Sequence, residues 1–212
     1  MNRHAIPDIE LRAKLAERGL ECHLLLPKDG SSVDFHSTLC DLLKPLLQAA
    51  YERAITPGHL VYESWAVVLG PATGPPVACC TMAFTCDFPS FFTTHFEAVH
   101  PDVQRQGLGR LLFECAAVWA RFLVYNDPLA LEGVVQSGGD YCLVSIIDAP
   151  DQAEWDGATD NQRGHGAFLR KLGFIRAQHD FHQNEDEIAF QRAFHVPVRQ
   201  DEQEEGLVPS CQ

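Results

Sequence analysis

The sequence predicts a single mixed α/β domain, and three observations lead there. Strand-like and helix-like segments alternate along the chain, with turn residues between them. Between Phe91 and Phe122 an apolar, β-branched run, a glycine-bearing turn and an amphipathic stripe follow one another directly. At 212 residues the chain is long enough to bury a substantial core in one unit.

Taken in order, Ile9 to Glu17 carries an apolar stripe closed by Gly19, which predicts a short helix. Glu21 to Leu26 reads as a strand. Phe35, Leu39, Leu42, Leu43, Leu46, Leu47 and Tyr51 fall at helical spacing, with Pro45 expected to split or kink the helix. Leu60 to Leu69 and Val77 to Cys86 read as a hairpin around the Gly70–Pro76 turn. Phe91 to Val99 reads as one strand, ended by Pro101 and Asp102. Leu108, Leu111, Leu112, Cys115, Val118, Trp119 and Phe122 then mark a helix. Asn126 to Asp140 is expected to be a long turn, Tyr141 to Ile147 a buried strand, and Asp148 to Asp160 a polar loop. A helix from Asn161 to Lys171 stops at Gly173, and strands at Phe174–Phe181 and Glu187–Phe194 complete residues 1–195 as a single domain. Residues 196–212, with Asp201, Glu202, Glu204 and Glu205, read as an acidic, disordered tail.

Composition narrows the function. A formal charge of −13 argues against general nucleic-acid binding, which needs a basic face. The start of the chain has no apolar signal core, and no run approaches about eighteen apolar residues, so a soluble, cytoplasmic protein without membrane contact is expected. The eight cysteines form no C-x-x-C pair, which removes zinc-site spacing; no metal is expected. Six of them sit in apolar runs, where a reduced thiol acts as a small hydrophobe.

The chemistry lies in Gln104-Arg105-Gln106-Gly107-Leu108-Gly109-Arg110. A helix start leaves backbone N–H groups without intrahelical acceptors and adds the positive end of the macrodipole. Glycines at 107 and 109 let a ligand approach the main chain, and Arg105 and Arg110 add cationic donors. A phosphate or pyrophosphate suits such a loop. It is not a dinucleotide fingerprint, because Leu112 stands where a third glycine is needed, and no Gly-Lys-Ser/Thr of a P-loop is present.

Residues 104–109 resemble the Gln/Arg-x-x-Gly-x-Gly/Ala loop of the Gcn5-related N-acetyltransferases. Ala98-Val99-His100-Pro101 before it, and Phe168-Leu169-Arg170-Lys171-Leu172-Gly173-Phe174 downstream, are similar to two further segments of that family. The resemblance covers roughly residues 60–194. It implies an acyl-CoA N-acyltransferase fold: a mixed, mostly antiparallel sheet with helices on both sides. It also implies acetyl transfer from acetyl-CoA, as co-substrate, to a primary amine, small molecule or protein, by direct attack in a ternary complex. The backbone around Glu97, Ala98 and Val99 would pair with pantetheine, and N–H groups from Arg105 to Arg110 would hold the pyrophosphate.

Amine acetylation needs a base, since an alkyl ammonium has a pKa near ~10.4. Two candidates stand on the organising strand, where period-two alternation puts Thr93, His95, Glu97 and Val99 on one face. His95 titrates in the right range and matches a catalytic histidine of arylalkylamine N-acetyltransferases, which this strand resembles; Glu97 is the second candidate. A bulge would break that parity. The family's second motif normally offers a tyrosine as proton donor to the leaving thiolate. That position here is Leu169, which leaves Tyr141, Tyr125, His165 or water as the proton source, or leaves a non-catalytic acyl-CoA-binding protein as the alternative.

Overall fold

The structure is a computed structural model, and it describes residues 1–27, 32–52, 54–60, 63–86, 90–148, 160–177 and 187–197. The expected loop after residue 148, the segment between the last two expected strands and the acidic tail beyond residue 197 lie outside these residues.

A sheet with the order β1-β2-β3-β4-β5-β7-β9-β8 forms the centre. Its strands are β1 (Asn2–Ala5), β2 (Glu21–Leu26), β3 (Trp65–Gly70), β4 (Ala78–Thr85), β5 (Ser90–Thr94), β7 (Asp140–Asp148), β8 (Ile175–Arg176) and β9 (Glu187–His195), while β6 (Ala98–Val99) pairs with β4 alone. Every pairing is antiparallel except β5 with β7. The mostly antiparallel sheet expected from the resemblance is therefore the one observed.

Helices α1 (Ile9–Ala16), α3 (Leu108–Asn126), α4 (Pro128–Gln136) and α5 (Asp160–Lys171) bury apolar residues on one face. The main core there joins Leu11, Leu15, Leu112, Trp119, Val134 and Leu169 to the strand residues Val67, Cys80, Phe92 and Leu143. On the opposite face, Phe35, Leu39, Leu43 and Leu47 of α2 (Ser32–Tyr51) pack on Ala66, Val68, Cys79 and Ala98. Alternate residues of β3 and β4 thus divide between the two cores, as a pleated strand requires.

Several boundaries differ from the sequence reading. A 3-10 turn occupies Pro57–Leu60, and the strand expected from Leu60 begins only at Trp65. The expected turn at 126–140 contains α4. Its signal was present: the Asp127 carboxylate accepts from the N–H groups of Leu129 (3.1 Å) and Ala130 (3.0 Å), and Pro128 occupies the first helical position. Helix α2 runs through Pro45 without interruption. The edge strand β1 was missed because its residues are polar and exposed, with no alternation to reveal them.

The largest departure concerns the organising strand. Met82 pairs with Thr94, whereas Cys79 pairs with Ala98, so this strand carries one more residue than β4 across the same interval. That extra residue is a bulge, and it separates β5 from β6.

Seven described cysteines are free thiols, and six are buried. Burial is the largest cause that pushes the Cys79 thiol up to about 12, and it raises Cys80 well above its usual range. Neither is a thiolate nucleophile at neutral pH.

Gly133 on α4 gives a test of the packing. A Cβ there would lie 3.0 Å from Cys86 Sγ, Phe84 Cζ and Ser90 Oγ. In an open helix, glycine to alanine gains about 1 kcal/mol, but overpacking costs about 1–3 kcal/mol. Gly133→Ala should therefore lower the urea midpoint of unfolding; a raised midpoint would show that α4 sits less tightly on β4 and β5.

Candidate active site

The site begins where two parallel strands stop pairing. β5 and β7 are in register from Ser90↔Tyr141 to Thr94↔Ser145. Beyond that point the first strand continues as β6, paired with β4, and β7 continues against β9 through Ile146↔Ala189 and Asp148↔Glu187. Between them the sheet opens.

The main chain of β6 is presented to this opening. The N–H of His100 donates to the Val77 carbonyl at 2.8 Å, which turns the backbone of residue 100, and by alternation that of Ala98, toward β4. The polar groups of Glu97 and Val99 then point the other way. Their carbonyls are held by side chains: Tyr51 Oη donates to Glu97 at 2.9 Å and Gln104 Nε2 to Val99 at 3.1 Å. Of the residues expected to pair with pantetheine, Ala98 is engaged with Cys79, and Glu97 and Val99 line the opening.

After His100, whose Nδ1 caps the short turn Pro101–Val103, the chain enters the glycine loop. Arg105 (φ 61°) and Gly107 (φ 79°) are both left-handed. Such turns make successive N–H groups converge on a concave, anion-sized site. The first intrahelical bond of α3 runs from Leu111 N–H to the Gly107 carbonyl at 3.2 Å, so the N–H groups of Leu108, Gly109 and Arg110 precede it. The Leu108 side chain is buried in the main core, so it adds no polar side chain to the loop.

The two glycines differ in purpose. Gly107 needs its left-handed φ, and the nearest atom to an added Cβ is Arg18 Nη1 at 3.9 Å. At Gly109 a Cβ would meet Phe168 Cζ at 3.1 Å, so this glycine admits the ring of the second motif rather than open solvent. The cations also redistribute. Arg110 pairs with Glu114 on its own helix at 2.8 Å. Arg18, just after α1, donates to the Gln106 carbonyl at 2.7 Å and brings a guanidinium to the loop from 88 residues away. Nothing local in the sequence around Arg18 pointed to this.

His95 and Glu97 do not share a face, because the bulge reverses the parity between them. His95 lies opposite Thr81, to whose carbonyl its N–H donates at 2.9 Å, on the α2 side. Its Nδ1 meets Glu63 Oε1 at 2.7 Å, and the side-chain exposures are 33% and 3%. The Glu63 carbonyl is in turn within 2.9 Å of His36 Nε2 on α2. Glu63 was missed by the sequence reading, which placed it inside a strand.

Glu97, like Val99, lies on the side of α3 and α5. One carboxylate oxygen accepts from the Thr94 hydroxyl, and the other lies 2.9 Å from His165 Nε2 on α5. Burial lowers the His165 pKa, but the hydrogen bond to Glu97 and its charge outweigh that, leaving a net rise.

The remaining proton-donor candidates are elsewhere. Tyr141 pairs with Ser90, at the far end of β5 from the opening, and stacks on Phe194; burial above all pushes its phenol up to about 12. Tyr125 is exposed near the end of α3. Leu169 is 0% exposed within the main core, so a longer side chain there would meet packed atoms first. Among the phenylalanines of this region, Phe92 lies in the main core with Phe84 packed against it, and Phe96 packs edge-on to Tyr51 at 6.3 Å on the α2 side.

No protein-family model matches the chain, and neither does any curated protein sequence. Among solved structures, it is similar to the ribosomal-protein-S18-alanine N-acetyltransferase of Escherichia coli: 18% identity, 85% of this chain and 97% of that one, TM-score 0.44. It is also similar to Naa50 of Arabidopsis thaliana, solved with a bisubstrate analogue of coenzyme A, at 10% identity over 82% and 99% of the two chains, TM-score 0.48. A third is an aminoglycoside acetyltransferase from an uncultured soil sample, at 14% identity over 79% and 96%, TM-score 0.46. At such identities and scores no residue role or substrate passes from these proteins to this chain.

Proposed function

We propose that this protein is an acetyl-CoA-dependent N-acetyltransferase acting on a primary amine. The observation that carries the reading is the parting of β5–β6 from β7, with the Glu97 and Val99 main chain turned into the gap and the left-handed Arg105–Gly107 loop directly after it. An extended arm bearing two amides can add to that strand edge. Its pyrophosphate then meets the N–H groups of Gly107 to Arg110 and the guanidiniums of Arg105 and Arg18. The residues fit coenzyme A.

In this reading the amine approaches on the α2 side, beside His95. The bond from Nδ1–H to Glu63 fixes the tautomer with its lone pair on Nε2, the nitrogen that accepts the amine proton. The C–N bond forms as the thioester C–S bond breaks, and holding both substrates in line supplies much of the rate. A non-catalytic acyl-CoA-binding protein is the second reading, favoured by the apolar, fully buried Leu169 in the usual acid position.

An acceptor screen with acetyl-CoA, over arylalkylamines, polyamines, aminoglycosides, amino acids and lysine peptides, separates the two. Thiol release with at least one amine is expected; calorimetric binding of acetyl-CoA without release across the panel would favour the second reading. Gly107→Val should weaken coenzyme A binding at least tenfold in a folded protein, because a branched side chain opposes the left-handed φ and crowds Arg18. Unchanged affinity would remove the loop from the site.

His95→Ala should lower kcat on the order of 10²–10⁴-fold and abolish the acidic limb of the pH–rate profile, with acetyl-CoA affinity kept. Glu63→Gln should displace that limb without removing it. If His95→Ala retains turnover and pH dependence, the histidine is structural.

A further inference from the structure

The proposed reaction needs a proton at the leaving sulfur, and Leu169 offers none. We propose that His165, held by Glu97, protonates the departing thiolate from the α5 side of the opening, while His95 takes the amine proton on the α2 side. This inference rests on the acetyltransferase reading and adds a second proton-transfer group to it.

Position is the first argument. A ligand whose phosphates sit at the helix start, and whose arm runs back along β6, passes Val99 and then Glu97. Its far end therefore lies where the strands part. The carboxylate of Glu97 stands there and holds His165 Nε2 at 2.9 Å. The same helix packs Phe168 against Gly109, one turn from His165 with ring centroids 6.3 Å apart, so α5 flanks the opening.

A second, independent observation marks the inner end as a polar ligand site. Ser145 of β7, the last residue paired with β5, is 0% exposed, and its hydroxyl has no hydrogen-bond partner among the described residues. By alternation with Leu143 and Ile147 it shares the face of Glu97. A buried hydroxyl without a partner is destabilising, and the carbonyl of a bound thioester would supply the missing contact.

The atoms balance. The amine reacts in its neutral form, its ammonium proton already released to solvent; its nitrogen bonds to the acyl carbon and gives one proton to His95 Nε2. The C–S bond breaks and its electron pair stays on sulfur. His165 starts as an imidazolium with Nε2–H on Glu97, gives its Nδ1 proton to sulfur and ends neutral, still bonded to the carboxylate. Solvent returns His95 and His165 to their starting forms between turnovers.

The raised pKa of His165 keeps more of it protonated near neutrality. Around it, Glu97 supplies the negative charge, and the β4 thiols Cys79 and Cys80 stay neutral, held up by burial and by Glu97 itself. Tyr51 donates its hydroxyl to the Glu97 carbonyl, away from the carboxylate, and on α3 Arg110 and Glu114 neutralise each other. The rate should then fall as pH rises through the raised pKa of His165, giving an alkaline limb.

The test compares wild type, His165→Asn and Glu97→Gln, each checked for folding by circular dichroism, with the amine found in the screen. Two donors are used: acetyl-CoA, and its selenoester analogue, whose selenolate leaves without protonation. His165→Asn should reduce kcat on the order of 10²–10⁴-fold with acetyl-CoA, leave its affinity nearly unchanged and remove the alkaline limb. With the selenoester the loss should largely disappear. Glu97→Gln should move the alkaline limb to lower pH. Equal losses on both donors, or no loss in His165→Asn, overturn the assignment of His165 while the acetyltransferase reading stands. A wild type that binds acetyl-CoA but transfers to no amine overturns the reading itself.

Discussion

The arrangement of the site depends on one surplus residue in a strand. Without the bulge between Thr94 and Ala98, alternation would place His95, Glu97 and Val99 together, and their side chains would compete for one volume. With it, His95 turns to Glu63 and α2, and Glu97 turns to Thr94 and α5. The same insertion turns Ala98 to the α2 core, where a small side chain fits beneath the helix. A bulge costs ladder regularity, and it is held here by hydrogen bonds on both flanks: His95 N–H to Thr81 and His100 N–H to Val77.

The two sequence motifs turn out to be one packed unit. Gly109 at the start of α3 receives the ring of Phe168, which meets Phe113 at 5.9 Å, and Phe174 closes on Phe113 at 5.4 Å. The spacing of the glycine loop and of the Phe-Leu-Arg-Lys-Leu-Gly-Phe segment is thus tied by side-chain contact, although neither motif alone predicts the other's position. Glycine at 109 serves close helix packing, and glycine at 107 serves backbone conformation.

Elements with strong periodicity were legible in the sequence. α3, β2, β4 and β7 fall close to their expected limits because their apolar residues are dictated by burial on identifiable faces. The glycine loop was legible as a turn into a helix, since Gly107 and Gly109 stand between the end of one apolar pattern and the start of the next. What could not be read depended on distant partners. Arg18 reaches the loop, Glu63 reaches His95, and His165 reaches Glu97, each across contacts that only the folded sheet creates. α4 was missed although Asp127-Pro128 announced it, because the surrounding glycine and serine weighed toward a turn.

The side-chain bonds to Glu97 and Val99 also bear on solubility. An opened sheet exposes strand edges, and bare edges recruit strands from other molecules. Here Tyr51 and Gln104 occupy the outward carbonyls of Glu97 and Val99, so an incoming strand must first displace them. A ligand anchored by a pyrophosphate at the adjacent loop has that second attachment to offset the displacement, whereas a stray peptide does not. In the proposed reading the caps therefore act as a selectivity filter on the edge, which a tethered ligand can displace at less net cost than a stray peptide.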